Sequence, residues 1–390
     1  MTPATALASA LARAEAHQWA GSDPYDGLMT SVGRLVTSTG PLPRFALSQV
    51  MLRIPPIRSL LRPAPSVNAK ALGLFLGAVV TGRSEIGESR ARALAVDLVE
   101  SISRLGTRHS SDSIGWGYPF HWQSRSFWAP AGTPNAVVTA TVGWHMLDCA
   151  EFMGIDRARA LGLAAAKFLS RELPMTEDGT ESALSYTQND RTRVINISAL
   201  AARLLVRAAG FSSVAPPLAK AERLARFVLA NQRSDGSWPY AADRGGDWED
   251  SFHTGYVLES LLYLARTGIE IPPEALTRGV TAYMEFFETN GASRLYRSNS
   301  TILDAHSAAQ GIITCLAAGE PETAARISGW ALDALWIEER GHFAYRIVNG
   351  RRDTREFIRW VQAWMALAMG KAAAAEDSRQ VRSRLAGASR

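Results

Sequence analysis

The chain has 390 residues, 47% hydrophobic and 20% charged, a balance ordinary for a globular protein that allows one large domain or a few smaller ones. Its net charge of +5 comes from scattered basic residues, mostly arginine, with no long run, which counts against a nucleic-acid partner and suits an anionic substrate. Two cysteines, Cys149 and Cys315, lie in apolar helical stretches and exclude a disulfide framework. No apolar run reaches the length of a membrane span and the N-terminus lacks the pattern of a signal peptide, so a cytoplasmic location is expected.

Residues 4–19 read as a helix, broken by SDPYDGL (22–28), where Pro24 and Gly27 mark a turn. The segment 44–67, RFALSQVMLRIPPIRSLLRPAPSV, is basic, apolar and interrupted by prolines. It reads as part of a belt packed on the main body, or as a surface resting on a membrane. From residue 68 the chain becomes a series of helix pairs: 68–82 with 86–104, 134–154 with 156–172, 195–210 with 217–232, 251–267 with 273–289, and 304–319 with 321–336. A last helix is expected over 355–372, followed by a frayed polar tail from Ala373. The first helices of successive pairs recur at a drifting period of about 50–60 residues, which marks a repeat architecture.

The first member of each pair is apolar nearly all round and rich in Ala, Gly and Ser, as a helix buried on every side must be. The second members carry more charge. This alternation describes an inner ring of helices within an outer ring. Connections within a pair are short and connections between pairs are long. The long ones read GWGYPF (115–120), DGTESALSY (178–186), DGSWPY (235–240), GASRLY (291–296) and GHFAYR (341–346), each opening at a glycine turn and reaching a tyrosine. Equivalent pairs would gather these segments at one end, as a funnel of rings and charges on a rigid scaffold. The expected division is an N-terminal belt over 1–67, a toroid over 68–372 and a polar tail over 373–390.

The helix-pair repeat with its DGSWPY-type segments resembles the (α/α)-toroid enzymes. One branch is the six-hairpin glycosidase-like group, with sugar epimerases and polysaccharide lyases. The other holds terpenoid cyclases and prenyltransferases, whose Gln-x-x-Asp-Gly-Ser-Trp repeat matches Gln232-Arg233-Ser234-Asp235-Gly236-Ser237-Trp238. The whole chain is similar to toroid proteins of bacterial capsule and exopolysaccharide loci. The likeness lies in Asp23-Pro24-Tyr25-Asp26-Gly27-Leu28, the run from Trp116 to Arg125, Asp250-Ser251-Phe252-His253-Thr254-Gly255, the run from Asp304 to Gln310, and the run from Arg359 to Trp364. The resemblance implies an all-α (α/α)6-type toroid and a role in making or trimming a surface glycan.

Candidate site residues follow from this reading. Asp250 and His253 stand three apart at a helix start, so a carboxylate lies beside an imidazole on one face. Asp304 and His306 repeat the theme at the next inner helix, with Gln310 on the face of His306. Asp250 and Asp304 are the expected acid/base carboxylates and His253 and His306 their assistants; in each case the alternative is a helix cap beside a core histidine. Trp116, Tyr118, His121, Trp122, Gln123 and Arg125 form an aromatic-polar run suited to stacking on pyranose rings and binding hydroxyls, or else to plugging the barrel. Trp238, Tyr240, Trp248, Tyr256 and Trp360 extend that platform. Arg359, with Gln362, is placed to hold a uronate or phosphate, or to form a salt bridge with Glu356 or another carboxylate.

The two aspartates and two histidines match no standard metal-ligand spacing, and no phosphate-binding loop or dinucleotide fingerprint appears, so neither metal nor cofactor is expected. The expected protein is a carbohydrate-active enzyme (glycoside hydrolase, lyase or sugar epimerase) of surface polysaccharide metabolism, acting on an acidic or lipid-linked saccharide. One alternative is a class II terpenoid cyclase or prenyl-binding enzyme using the acidic cluster Asp247-Trp248-Glu249-Asp250. A second is a non-catalytic glycan-binding protein on the same toroid.

Overall fold

Inner and outer helices part company according to where their apolar residues fall. The computed structural model describes residues 1–124, 127–211 and 218–388, with side chains to residue 377. Twelve of its helices build two rings: α1 (Pro3–Ala16), α2 (Ala69–Thr81), α3 (Glu88–Leu105), α4 (Ala136–Met153), α5 (Asp156–Arg171), α6 (Ile195–Ala209), α7 (Leu218–Ala230), α8 (Ser251–Ala265), α9 (Pro273–Met284), α10 (Ala305–Ala318), α11 (Pro321–Ala334) and α12 (Ala363–Ala388). Every residue of α2 from Ala69 to Val80 is buried. In α3 only Ala91, Leu94, Ala95, Leu98, Val99 and Ile102 are buried, the stripe of a helix with one face on the core.

The even-numbered helices pack side by side in sequence, and α12 returns to α2 to close the ring. Each odd-numbered helix from α3 to α11 lies outside its partner, and α1 lies outside α12. The architecture is therefore the expected all-α (α/α)6 toroid. Residues 3–16 supply the sixth outer helix, so the N-terminal segment is not all belt. The belt proper is the loop between a short antiparallel pair, Ala20↔Val67 and Gly21↔Ser66. It carries three short helices, Ser31–Thr37, Pro41–Arg53 and Pro55–Leu61. At the other terminus the expected frayed tail is corrected: helix continues through Ala388, because Ala372 and Ala373 are still buried against the ring.

The long connections form small antiparallel sheets at the end where the inner helices begin. The largest has four strands in the order Arg351–Asp353, Arg346–Val348, Asn299–Asp304 and Arg294–Tyr296. The register Leu303↔Ile347 and Asp304↔Arg346 delivers Asp304 directly to the start of α10.

The glycine that opens the DGSWPY segment has a geometric reason. Gly236 sits at φ +88°, and a Cβ there would lie 2.3 Å from the carbonyl oxygen of Arg278 in α9. Gly291 repeats this at φ +92° against Arg326 of α11. These turns seat each connection on the backbone of the next outer helix.

Gly236→Ala combines a left-handed backbone with a steric clash and is expected to destabilise the fold by about 3 kcal/mol in urea unfolding. Gly268→Ala, at φ +87° with open space around it, is the control and should cost about 1 kcal/mol. Equal losses at the two positions would show that the close approach to Arg278 carries no energetic weight.

Candidate active site

Inner helices that start together at one end leave their first backbone N–H groups unsatisfied together. Two devices meet that demand. Asn68, Asn135, Asp250 and Asp304 cap α2, α4, α8 and α10 with their side chains. The tyrosine that ends a connection then offers its carbonyl to the first N–H of a neighbouring inner helix. Tyr186 accepts from Ala136 at 2.9 Å, Tyr240 from Ile195 at 3.1 Å and Tyr345 from Ala305 at 3.2 Å. The recurring tyrosines thus hold the connections to the ring.

At α8 the cap does more than close the helix. Oδ1 of Asp250 accepts from the His253 backbone N–H at 2.8 Å. Its Oδ2 lies 2.8 Å from Nδ1 of the same histidine. The buried carboxylate can only accept when ionised, so it orients the ring with Nδ1–H toward itself and turns Nε2 away. The His253 side chain keeps 23% of its surface exposed. It borders a cleft shared with Asn196, Tyr240, Glu249, Asp250 and Thr254. Beside it Trp248 stacks on Tyr240 with ring centroids 4.4 Å apart and planes 15° apart. Trp248, 37% exposed, offers its outer face as a platform.

The second Asp/His start looks alike in sequence but is enclosed. Asp304 is wholly buried; Oδ1 caps α10 and Oδ2 faces Arg346 at 3.3 Å. Burial pushes its carboxyl above the usual range, against the pull of Arg346. His306 is buried between Phe252, at 4.4 Å and 11°, and Trp364, at 4.9 Å and 29°. Its Nε2 lies 2.6 Å from the Tyr256 hydroxyl. Burial first, with the Arg359 guanidinium among the nearby groups, pushes His306 well below the ordinary histidine value. Asp304 and His306 are thus corrected from acid/base groups to a cap and an interior ring. Gln310 lies deeper, its amide nitrogen on Glu259 and Thr314.

Several expected sugar contacts also prove structural. Trp116 is fully buried and its indole N–H donates to the Ile102 carbonyl at 2.8 Å. Trp238 makes the same bond to the Val228 carbonyl at 2.9 Å. Each ring pins a connection to the preceding outer helix, so neither is an open platform. The Gln362 amide is used on both sides by the backbone of Phe343, at 3.0 and 2.8 Å. Gln123 braces its own loop through the Ser124 and Phe127 carbonyls. Arg125 lies outside the described residues.

Tyr118 and Trp122 do converge, edge to face at 5.8 Å, with the Tyr118 hydroxyl 3.3 Å from that of Tyr186. His121 stacks on Trp128 at the rim and accepts from the Ala131 N–H. Trp360 meets His306 edge-on at 5.0 Å. Arg359, by contrast, is committed: Nε and Nη2 form a fork on Asp23 at 2.5 and 2.7 Å. Its partner is neither substrate nor Glu356, which pairs with Arg13 instead.

Lys70, which spacing arguments did not single out, lies at the centre of this end. It is the second residue of α2 and only 3% exposed. Its Nζ lies 5.4 Å from the Tyr256 ring and 5.3 Å from the Trp364 ring, and among the described residues no carboxylate pairs with it. Burial first, and Arg359 second, push its amine well below the ordinary lysine value. The signal for it was compositional, since lysines make up only four of the 42 basic residues. Among the described residues no group of three or more His, Cys, Asp and Glu side chains could hold a metal ion.

No protein-family model matches the sequence, and no curated protein matches it. The fold is shared with solved structures. An alpha-mannanase of glycoside hydrolase family 76 from Bacteroides thetaiotaomicron superposes with a TM-score of 0.63 at 12% identity, over 82% of this chain and 89% of that one. A cellobiose 2-epimerase from Bacillus thermoamylovorans gives 0.59 at 9% identity, over 78% and 88%. A D-mannose isomerase gives 0.59 at 10% identity, over 79% and 87%. These similarities show the (α/α)6 toroid fold.

The amine of Lys70 makes a test of the site's electrostatics. An unfolded lysine titrates near ~10.4, so below that value the unfolded chain binds the proton more readily than the fold does. Stability then rises with pH from the depressed native value up to that of the unfolded chain. Lys70→Met removes the penalty and is expected to stabilise the protein by about 1–3 kcal/mol at neutral pH. The advantage in thermal or urea unfolding should shrink toward pH ~10. A variant less stable than wild type at every pH would mean that Lys70 is charged and well served by its surroundings.

Proposed function

We propose that this protein is a carbohydrate-active enzyme that moves a proton at carbon in a reducing sugar, as an isomerase or epimerase does. The observation that carries the reading is the Asp250–His253 pair: a buried carboxylate orients a partly exposed imidazole whose ring borders an aromatic-walled cleft. A base oriented in this way contributes on the order of 10²–10⁴-fold to a proton transfer. Hydrolysis of a glycosidic bond by the usual route needs two carboxyl groups facing the substrate. Asp304 is sealed and paired with Arg346, and Glu249 is held by Arg297 at 2.5 Å and faces Arg233 at 3.5 Å. Proton transfer at carbon needs no such pair. The alpha-mannanase, cellobiose epimerase and mannose isomerase that share the fold all act on sugars by name, which supports a saccharide substrate.

The terpenoid-cyclase alternative loses its proton donor. Asp247 is exposed and tied to Arg233, Glu249 is ion-paired, and both oxygens of Asp250 are engaged with His253. Nor does the funnel favour an acidic sugar. Arg233, Arg297, Arg346 and Arg359 each face a carboxylate of the protein itself. These internal pairings favour a neutral sugar over an acidic one as substrate. Its place in surface-glycan metabolism is supported by the sequence segments that resemble toroids of capsule loci.

Incubation with a panel of neutral reducing mono- and disaccharides in D₂O tests the reading by NMR. Deuterium is expected at the carbon next to the carbonyl, together with the isomer or epimer. His253→Ala should abolish the exchange, and Asp250→Asn should slow it by about 10–100-fold while leaving the helix cap and the stability nearly intact. Oligosaccharide cleavage without exchange would make the protein a glycosidase. Sugar binding with neither reaction would make it a glycan-binding protein.

A further inference from the structure

The belt has a surface the active site does not use. Between Asp26 and Glu85 the chain contains no acidic residue, while the belt carries Arg34, Arg44, Arg53, Arg58 and Arg62. Arg58 points inward to Asp26, and Arg44 covers the Trp128 ring at 4.2 Å. Arg34, Arg53 and Arg62 are exposed, and among the described residues none of the three joins a salt bridge. The same three short helices expose large apolar side chains: Leu35 at 75%, Leu42 at 81% and Leu60 at 80%, with Val32 and Ile54 beside them. Among the described residues, five of the eleven exposed large hydrophobic side chains thus fall within a single acid-free loop. Val32 and Leu35 stand three apart on one helix and share a face.

We infer that the belt docks the protein on an anionic lipid bilayer, with the exposed leucines entering the interface and the free arginines meeting lipid headgroups. Apolar side chains ringed by unpaired cations are the composition of an interfacial surface. No helix among the described residues is long and apolar enough to cross a membrane, so the contact is peripheral. Charge decides between occupants. A second copy packed face to face on this surface would set one acid-free arginine cluster against another, which like charges oppose. An anionic bilayer satisfies both the cations and the leucines.

Position gives the docking a consequence for substrate. The helix Pro41–Arg53 packs on the strand Trp122–Gln123, and the Leu52 carbonyl accepts from Arg355 at 3.0 Å. Trp128, beneath Arg44, stacks on His121 at the funnel rim. A protein docked through the belt therefore holds its funnel rim, and with it the entry for a reducing sugar, next to the bilayer.

Co-sedimentation with vesicles tests this on the full chain. Vesicles of phosphatidylcholine with phosphatidylglycerol should bind the protein at low salt, and phosphatidylcholine alone should bind it at least about tenfold more weakly. High salt should weaken the contact. Leu42→Ser and Leu60→Ser should each lower partitioning roughly tenfold. The double variant Arg34→Glu, Arg62→Glu should remove the preference for anionic lipid. All four positions are solvent-exposed, so circular dichroism and sugar turnover in solution should match wild type. No binding to anionic vesicles at low salt, or binding that ignores these substitutions, overturns the inference. So does a dimer in light scattering that Leu42→Ser and Leu60→Ser convert to monomer, which would make a second copy the occupant.

Discussion

Six inner helices begin at the same end of this toroid, and their unsatisfied N–H groups are the constraint around which that end is built. Isolated helices can leave such groups to water, but buried ones cannot. Side-chain caps serve four of the six starts, and tyrosine carbonyls brace three starts from neighbouring connections. Those interactions also choose which side chains surround the funnel. A connection whose carbonyl must reach a helix start brings its tyrosine with it. A cap whose oxygen must face a helix N–H lies within a turn of the side chains projecting from that helix. Catalytic potential at this end is in that sense a by-product of closing helices.

Asp250 and Asp304 show how narrowly the outcome is decided. Both are N-caps and both are followed by a histidine. Asp250 is followed by it three residues later, so one carboxylate oxygen serves the backbone and the other reaches the imidazole. At Asp304 the histidine comes two residues later, and its ring turns inward to Tyr256 while the second oxygen faces Arg346. A single residue of spacing separates a carboxylate-oriented, partly exposed imidazole from a core histidine. Burial then reinforces the difference, because enclosure between Phe252 and Trp364 disfavours the protonated ring of His306.

The helical repeat was legible in the sequence because burial on all sides leaves a compositional mark: α2 and α4 are rich in small and apolar residues, and their outer partners are striped. Three of the recurring tyrosines, Tyr186, Tyr240 and Tyr345, answer one backbone demand, which is why the pattern repeats along the chain. What could not be read were contacts between distant parts of the chain. Arg359 and Asp23 are 336 positions apart, and nothing in either local sequence names the other. Trp116 and Trp238 look like sugar platforms in sequence because a tryptophan that stacks on a ligand and one that pins a connection have the same neighbours. Only the direction of the indole N–H tells them apart. Lys70 was hidden by its setting: a lysine at the start of an apolar helix reads as an end that reaches water, and the rings it lies against, Tyr256 and Trp364, come from helices far along the chain.

That covering loop is held by an ion pair rather than by apolar packing alone. Asp23 receives the fork of Arg359 at the π-helical turn over Ile358–Gln362, while Arg58 reaches back to the Asp23 carbonyl and to Asp26. Asp23 and Arg359 are both buried, so losing either partner would strand a charge at a penalty of about 3–5 kcal/mol. The same interaction occupies the guanidinium that would otherwise recruit an anionic sugar, and it places a cation beside Lys70 that adds to burial in weakening the amine's hold on its proton. The belt therefore sets the charge of the funnel floor while its outer face carries the exposed leucines and arginines. One loop, clamped at its base by Ala20↔Val67 and Gly21↔Ser66, joins the surroundings of the site to that exposed face.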